Sequence, residues 1–117
     1  GAMLSVEFLF AHPEMVEAVI SACGNPLGWG SDRPGSVSFP DRRAQLPSVE
    51  TPVLWVYGEH DAGFPPSMGE EVQRLTPGSE LVVVPGVGHG PQMDAPEVFN
   101  RAVLDFLAKV DARRAPQ

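Results

Sequence analysis

Thr51-Pro52-Val53-Leu54-Trp55-Val56-Tyr57-Gly58-Glu59-His60-Asp61 is the stretch from which the rest of the chain can be read. The unbroken apolar run from Val53 to Tyr57 predicts a strand buried on both faces. That is the pattern of a parallel sheet, not of a half-exposed antiparallel one. The run stops at Gly58 and delivers an acid at Asp61. Leu81-Val82-Val83-Val84-Pro85-Gly86-Val87-Gly88-His89 repeats the arrangement and delivers a histidine. Adjacent strands lie about 4.8 Å apart, so loops leaving their ends can meet. An aspartate that accepts from one imidazole nitrogen fixes the ring tautomer and leaves the other nitrogen as a general base. From spacing alone this pairing of Asp61 with His89 stands level with a plainer one. In the plainer reading Asp61 caps the following helix and His89 is a loop histidine.

Outward from these two runs, strands alternate with helices. Met3 to Ala11 reads as the last turns of a helix, with Leu4, Val6, Phe8, Leu9 and Phe10 on almost every side and deep burial expected. His12-Pro13 ends it, because the residue before proline leaves the helical region. Val16 to Ala22 reads as a strand. Gly24 to Pro47 holds four glycines and four prolines with no helical period, and reads as a long irregular connection. Trp29 and Phe39 in it are expected to pin the loop to the core rather than to line a pocket. Pro65 to Leu75 reads as a helix and Glu80 to Val84 as a third strand. Asp94 with Glu97 forms a capping-box pattern before a final helix whose stripe is Val98, Phe99, Ala102, Val103, Phe106, Leu107 and Val110. The alternation predicts an α/β fold, a three-stranded parallel sheet with flanking helices and right-handed crossovers. The strand C-terminal ends then share one edge, where open α/β sheets bind ligands.

The bulk numbers bound this picture. At 117 residues there is room for one domain. Residues 1–2 read as a tag remnant, 3–110 as the domain and 111–117 as a flexible tail. Hydrophobic content of 43% and charged content of 20% are globular values. A net charge of −7 offers no basic footprint for nucleic acid or an anionic membrane. The sequence has no run of about 18 apolar residues and no signal-like N-terminus. The single cysteine, Cys23, excludes an intrachain disulfide and fits a reducing, cytoplasmic setting. No C-x-x-C, H-x-x-x-H or nucleotide-binding glycine motif is present, so local spacing suggests no metal or cofactor.

Several of these stretches together resemble an α/β-hydrolase, across residues 3–110. Trp55-Val56-Tyr57-Gly58-Glu59-His60-Asp61 resembles the acid turn of that family, and Val84-Pro85-Gly86-Val87-Gly88-His89 its histidine turn. Ala95-Pro96-Glu97-Val98-Phe99-Asn100 resembles the start of its final helix. Ala11-His12-Pro13-Glu14-Met15-Val16 resembles the end of the helix that follows the nucleophile. The resemblance implies the C-terminal half of the fold, with Asp61 as triad acid and His89 as triad base. It implies hydrolysis of an ester, amide, lactone or related electrophile without a metal or organic cofactor. An aspartate nucleophile, as in epoxide hydrolases and dehalogenases of the family, is equally compatible.

Two departures qualify it. The family's nucleophile elbow, G-x-S-x-G, is not found in the 117 residues, nor are the segments expected to supply the oxyanion-hole donors. The connection after Cys23 is also too short for a full cap domain. Ser21 and Cys23 close the first strand on the catalytic edge. Cys23 is the stronger substitute nucleophile, although a free cysteine is more often a small buried hydrophobe. Ser67 is read as helping the first turn of its helix, and His12 and His60 as surface or loop residues. The nucleophile is therefore expected from a partner chain, or the chain is a truncated, non-catalytic binding or assembly module. The resemblance further implies that the strand Val16 to Ala22 has an unpaired edge. An exposed apolar edge invites another chain. A homo-oligomer or a complex with a partner polypeptide is expected in light scattering, and a clean monomer at high concentration contradicts it.

Overall fold

The computed structural model describes residues 1–30 and 33–114. Three parallel strands form its central sheet: β1 (Val19–Ala22), β4 (Val53–Gly58) and β5 (Glu80–Val84), in the order β1-β4-β5. Val19 lies opposite Val53, and Leu54 opposite Glu80. All six residues of β4 are buried, because it has a strand on each side and helices over both faces. Its side chains divide the core as the period of two requires. Val53, Trp55 and Tyr57 pack with Val19, Leu46 and Val72 beneath helices α1 (Ala2–Ala11) and α2 (Pro66–Leu75). Leu54 and Val56 pack with Val84, Phe106 and Val110 on the opposite face, beneath α4 (Pro96–Arg114). The α/β class, the three parallel strands and their flanking helices are those expected from the sequence.

The first strand is shorter than Val16 to Ala22. Pro13–Met15 forms a 3-10 turn, and ladder pairing begins only at Val19, whose N–H donates to the Pro52 carbonyl at 2.9 Å. Pro52 has no N–H with which to continue the ladder. The first helix is also less covered than its composition suggested. Val6 and Leu9 are buried, but Leu4 is 63% and Phe8 46% exposed. These two side chains border a groove of about 420 Å³ that also touches Val16, Ala18 and Ile20, along the open side of β1.

The connection after Cys23 is not wholly irregular. It contains an antiparallel hairpin of β2 (Leu27–Trp29) and β3 (Phe39–Asp41), with Trp29 opposite Phe39. Ser31 and Asp32, also assigned to the connection, lie outside the described residues. Strands of three residues interrupted by Gly28 and Pro40 leave no readable alternation. The rings of Trp29 and Phe39 lie 6.3 Å apart and tilted by 42°, Trp29 stays exposed, and it is Leu27 that joins the core.

At the C-terminal side, Asp94 does not cap the last helix. It ends a separate short helix, α3 (Pro91–Asp94), and the Ala95 carbonyl accepts the N–H of Phe99 at 3.0 Å. Two prolines, Pro91 and Pro96, each preset a first helical position, which splits the segment in two. Val98 and Leu107 turn outward from the expected stripe. Residues 111–114 continue the helix instead of fraying, with Arg114 paired to Glu17 at 2.6 Å. The rest of the expected tail, residues 115–117, lies outside the described residues. Pro65, not Ser67, occupies the cap position of α2, with no side-chain cap bond. No helix is long and apolar enough to cross a membrane, among the described residues.

Gly58 closes β4 where the turn that carries Asp61 touches the turn that carries His89. A Cβ on it would lie 1.9 Å from the Gly88 carbonyl oxygen and 2.8 Å from that of Val87. Both neighbours are backbone, so relief requires the turns to separate. Gly58→Ala is expected to cost about 1–3 kcal/mol of stability, as overpacked cores do, read as a lower urea midpoint with an unchanged slope.

Candidate active site

The acid turn and the histidine turn are joined by their backbones before any side chain is considered. Past Gly58, the N–H of Glu59 donates to Val84 at 3.0 Å and that of His60 to Val87 at 2.8 Å. The Gly86 N–H returns a bond to Glu59 Oε1 at 3.0 Å. Gly86 adopts φ +76°, a left-handed conformation that suits glycine in a tight turn. The strand ends therefore continue into one interlocked pair of loops, and the loops set where residues 61 and 89 stand.

Asp61 is 6% exposed. Its Oδ1 accepts the N–H groups of Gly63 and Phe64, both at 3.0 Å. Its Oδ2 meets Nδ1 of His89 at 2.6 Å. An ionised carboxylate only accepts, so Nδ1 carries the proton and the neutral ring presents an unprotonated Nε2. The His89 side chain is 64% exposed, and its ring leans on Phe64 with centroids 5.3 Å apart. The pairing of Asp61 with His89 is present, whereas Asp61 does not cap α2, whose cap position is Pro65. One oxygen organises the turn before α2, and the other fixes the imidazole.

Burial is the largest single influence on the Asp61 carboxyl and would raise it. The Phe64 N–H, the His89 ring and the Gly63 N–H outweigh that influence and hold the group below its ordinary range. The side chain is desolvated and still ionised, because its acceptors are filled.

Cys23 lies in the same cluster. One ligand atom each from Cys23, Asp61 and His89 falls within 4.8 Å of the other two. Cys23 is 5% exposed and has φ +56°, a left-handed value seen at no other non-glycine residue among those described. Burial pushes its thiol up to about 11, against a bond from the Gly58 backbone that lowers it and with the Asp61 carboxylate adding to the rise. Ser21 is fully buried, with no hydrogen-bond partner for its Oγ. His12 and His60 are exposed and sit beside Glu14 and Glu59. A cleft of about 360 Å³, lined among others by Asn25, Arg43, Pro65 and Met68, opens nearby in sequence terms, one residue past Phe64 and two past Cys23. The sequence singled out none of these four. Asn25 and Arg43 come from the connection after Cys23, and Pro65 and Met68 from the start of α2, so they share no local signal.

The state of Asp61 carries a sign. Its carboxyl is depressed in the fold, so its contribution to stability is present above the unfolded value of about 3.9. That contribution is lost as pH falls through the lower folded value. The stability difference between the natural chain and Asp61→Asn is therefore expected to be largest near neutrality and to shrink below about pH 4, measured by urea unfolding of both proteins across the acid range.

The chain is similar to known proteins. The family described as the alpha/beta hydrolase fold matches residues 39–96. The chain is 34% identical over 91 residues to a pimeloyl-[acyl-carrier protein] methyl ester esterase of Neisseria meningitidis serogroup A, covering 78% of this chain and 29% of that protein. It is 39% identical over 99 residues to 2-hydroxy-6-oxononadienedioate/2-hydroxy-6-oxononatrienedioate hydrolase 2 of Pseudomonas putida, covering 85% and 31%. The fold matches that of MGS-MChE2, an alpha/beta hydrolase from a lagoon-sediment metagenome of Mar Chica, Morocco, with a TM-score of 0.81 and 20% identity, over 95% of this chain and 58% of that one. The chain spans about a third of the length of these two curated relatives. The family match, the curated relatives and the matching fold lead to one conclusion: the chain belongs to the α/β-hydrolase superfamily and carries part of that fold.

Proposed function

We propose that this chain supplies the acid and base of a hydrolase site acting on an ester or a related acyl electrophile. Asp61 is the orienting acid and His89 the general base. The observation that carries the reading is the 2.6 Å contact between a buried carboxylate and Nδ1 of an imidazole whose side chain is open to solvent. That pairing fixes the tautomer in which Nε2 can take a proton from a nucleophile. Two of the relatives bear names of hydrolases, one an esterase, which supports ester chemistry without naming a substrate.

The nucleophile comes from polypeptide outside these 117 residues. Cys23 is poorly suited to the role, since its thiol is buried, held protonated and set beside the acid. The open side of β1 supports the place of entry. A strand added there in parallel ends at the same edge as Asp61 and His89, and it also covers Leu4 and Phe8. A second reading, a non-catalytic assembly module, rests on the same open edge and groove.

Hydrolysis of an activated phenyl ester separates them. The chain alone is expected to match His89→Ala at the background rate. Joined to a polypeptide that completes the sheet and brings a serine on a strand-to-helix turn, it is expected to gain activity. His89→Ala then removes roughly 10²–10⁴-fold of that gain. A completed sheet whose rate does not respond to His89→Ala sinks the catalytic reading and leaves the assembly module.

A further inference from the structure

The third member of the cluster changes what the Asp61–His89 pair can bind. We propose that Cys23, Asp61 and His89 form a site for a borderline-soft divalent cation of the Zn2+ type. The ligands are one thiolate sulfur, one carboxylate oxygen and one imidazole nitrogen, with the fourth position open to water. The inference goes beyond the hydrolytic reading and does not depend on it, because it needs no nucleophile.

The donor set selects the ion. Sulfur and imidazole suit Zn2+ and its neighbours, whereas Mg2+ and Ca2+ call for oxygen. A thiolate and a carboxylate together also match the charge of a dication. Tetrahedral bonds of about 2.3 Å to sulfur and 2.0 Å to nitrogen place donors about 3.5 Å apart. The donors, all within 4.8 Å of one another, close on the metal by up to about 1 Å, except that His89 Nδ1, now 2.6 Å from Asp61 Oδ2, moves away from it by somewhat under 1 Å. Two of the three are held by backbone bonds. The Cys23 N–H donates to Val56 at 2.8 Å, and Asp61 Oδ1 is fixed by Gly63 and Phe64. The His89 ring is exposed and makes the adjustment. It also marks the entry path from solvent.

Protons balance simply. The S–H bond of Cys23 breaks, a sulfur–metal bond forms, and one proton passes to solvent. The His89 proton moves from Nδ1 to Nε2, which breaks the hydrogen bond to Asp61 Oδ2 and frees that oxygen and the Nδ1 lone pair for the metal. With the cation in place Nε2 is a donor, so metal binding and base catalysis exclude each other at this site.

Cys23 is the single cysteine, which makes the test direct. The reduced chain is titrated with Cd2+, and the thiolate-to-cadmium charge-transfer absorption is followed. Saturation at a single equivalent, release of one proton per ion in weak buffer and reversal by competing Zn2+ are expected. Cys23→Ser is expected to abolish the absorption, and His89→Ala and Asp61→Asn each to weaken binding by about tenfold or more. The exposed His89 can be removed without opening the core, and circular dichroism confirms that its variant is folded. Affinity unchanged in His89→Ala and Asp61→Asn would mean that the thiol binds alone and overturns the site. Absence of the absorption at millimolar Cd2+ overturns it too. Since binding is read on the chain alone, either result stands apart from the outcome of the ester assay.

Discussion

The approach of two backbones at Gly58 and Gly88 is the constraint on which the site rests. No side chain fits between the turns, since even a methyl group on Gly58 would overlap the Gly88 carbonyl. The bonds of Glu59 to Val84 and of His60 to Val87 extend the β4–β5 ladder past the strand ends. Asp61 and His89 are 28 residues apart in sequence, yet their placement follows from this short run of backbone contacts. The sheet register supplies the coarse position, and the glycines allow the last few ångströms of approach. Residue 58 acts here by having no side chain, and its effect on chemistry passes entirely through spacing.

A buried carboxylate is costly unless its acceptor capacity is filled. Asp61 meets that condition with two backbone N–H groups on one oxygen and the imidazole on the other. The turn bonds exist with or without a charge on His89, so the carboxylate is ready before a proton arrives there. In general, dipoles fixed in advance stabilise a developing charge without reorganising when it forms. The arrangement fits a group that must keep an imidazole oriented and stabilise it as it gains a proton. The exposure is asymmetric: the Asp61 carboxylate is hidden and the His89 imidazole is open.

The sheet was legible because β4 announces itself: five apolar residues before Gly58 leave no solvent face. Asp61 and His89 were legible for a related reason, each following such a run past a glycine. What escaped was short or non-local. β2 and β3 are three residues each, interrupted by Gly28 and Pro40, so period-two alternation had no length in which to appear. The division of Pro91–Arg114 into two helices depends on a second proline presetting a new start, which outweighed the Asp94–Glu97 capping pattern. Exposure of Leu4 and Phe8 follows from how many strands lie beneath α1, a tertiary fact with no local signal. The Cys23–Asp61–His89 cluster escaped any search for metal motifs because its donors come from three separate strand ends.

Cys23 shows how the fold holds a residue in an unfavourable conformation. A left-handed backbone costs a non-glycine residue about 1–2 kcal/mol. Three contacts hold it there. The Cys23 N–H continues the ladder to Val56, so the strand cannot turn earlier. The next carbonyl, that of Gly24, is bound at 2.5 Å by the buried Tyr57 hydroxyl, so the chain must turn at once. Gly24 itself sits against Ser21 and Ala2, where a Cβ would be 2.7 Å and 2.9 Å from its neighbours, so the bend cannot move onto a larger residue there. The strain thus falls at residue 23, between a ladder bond on one side and the Tyr57 bond on the other. The same bend that lets β1 leave the sheet brings a thiol to the acid and the imidazole. The geometry of that corner, more than the residue type alone, makes Cys23 part of the site.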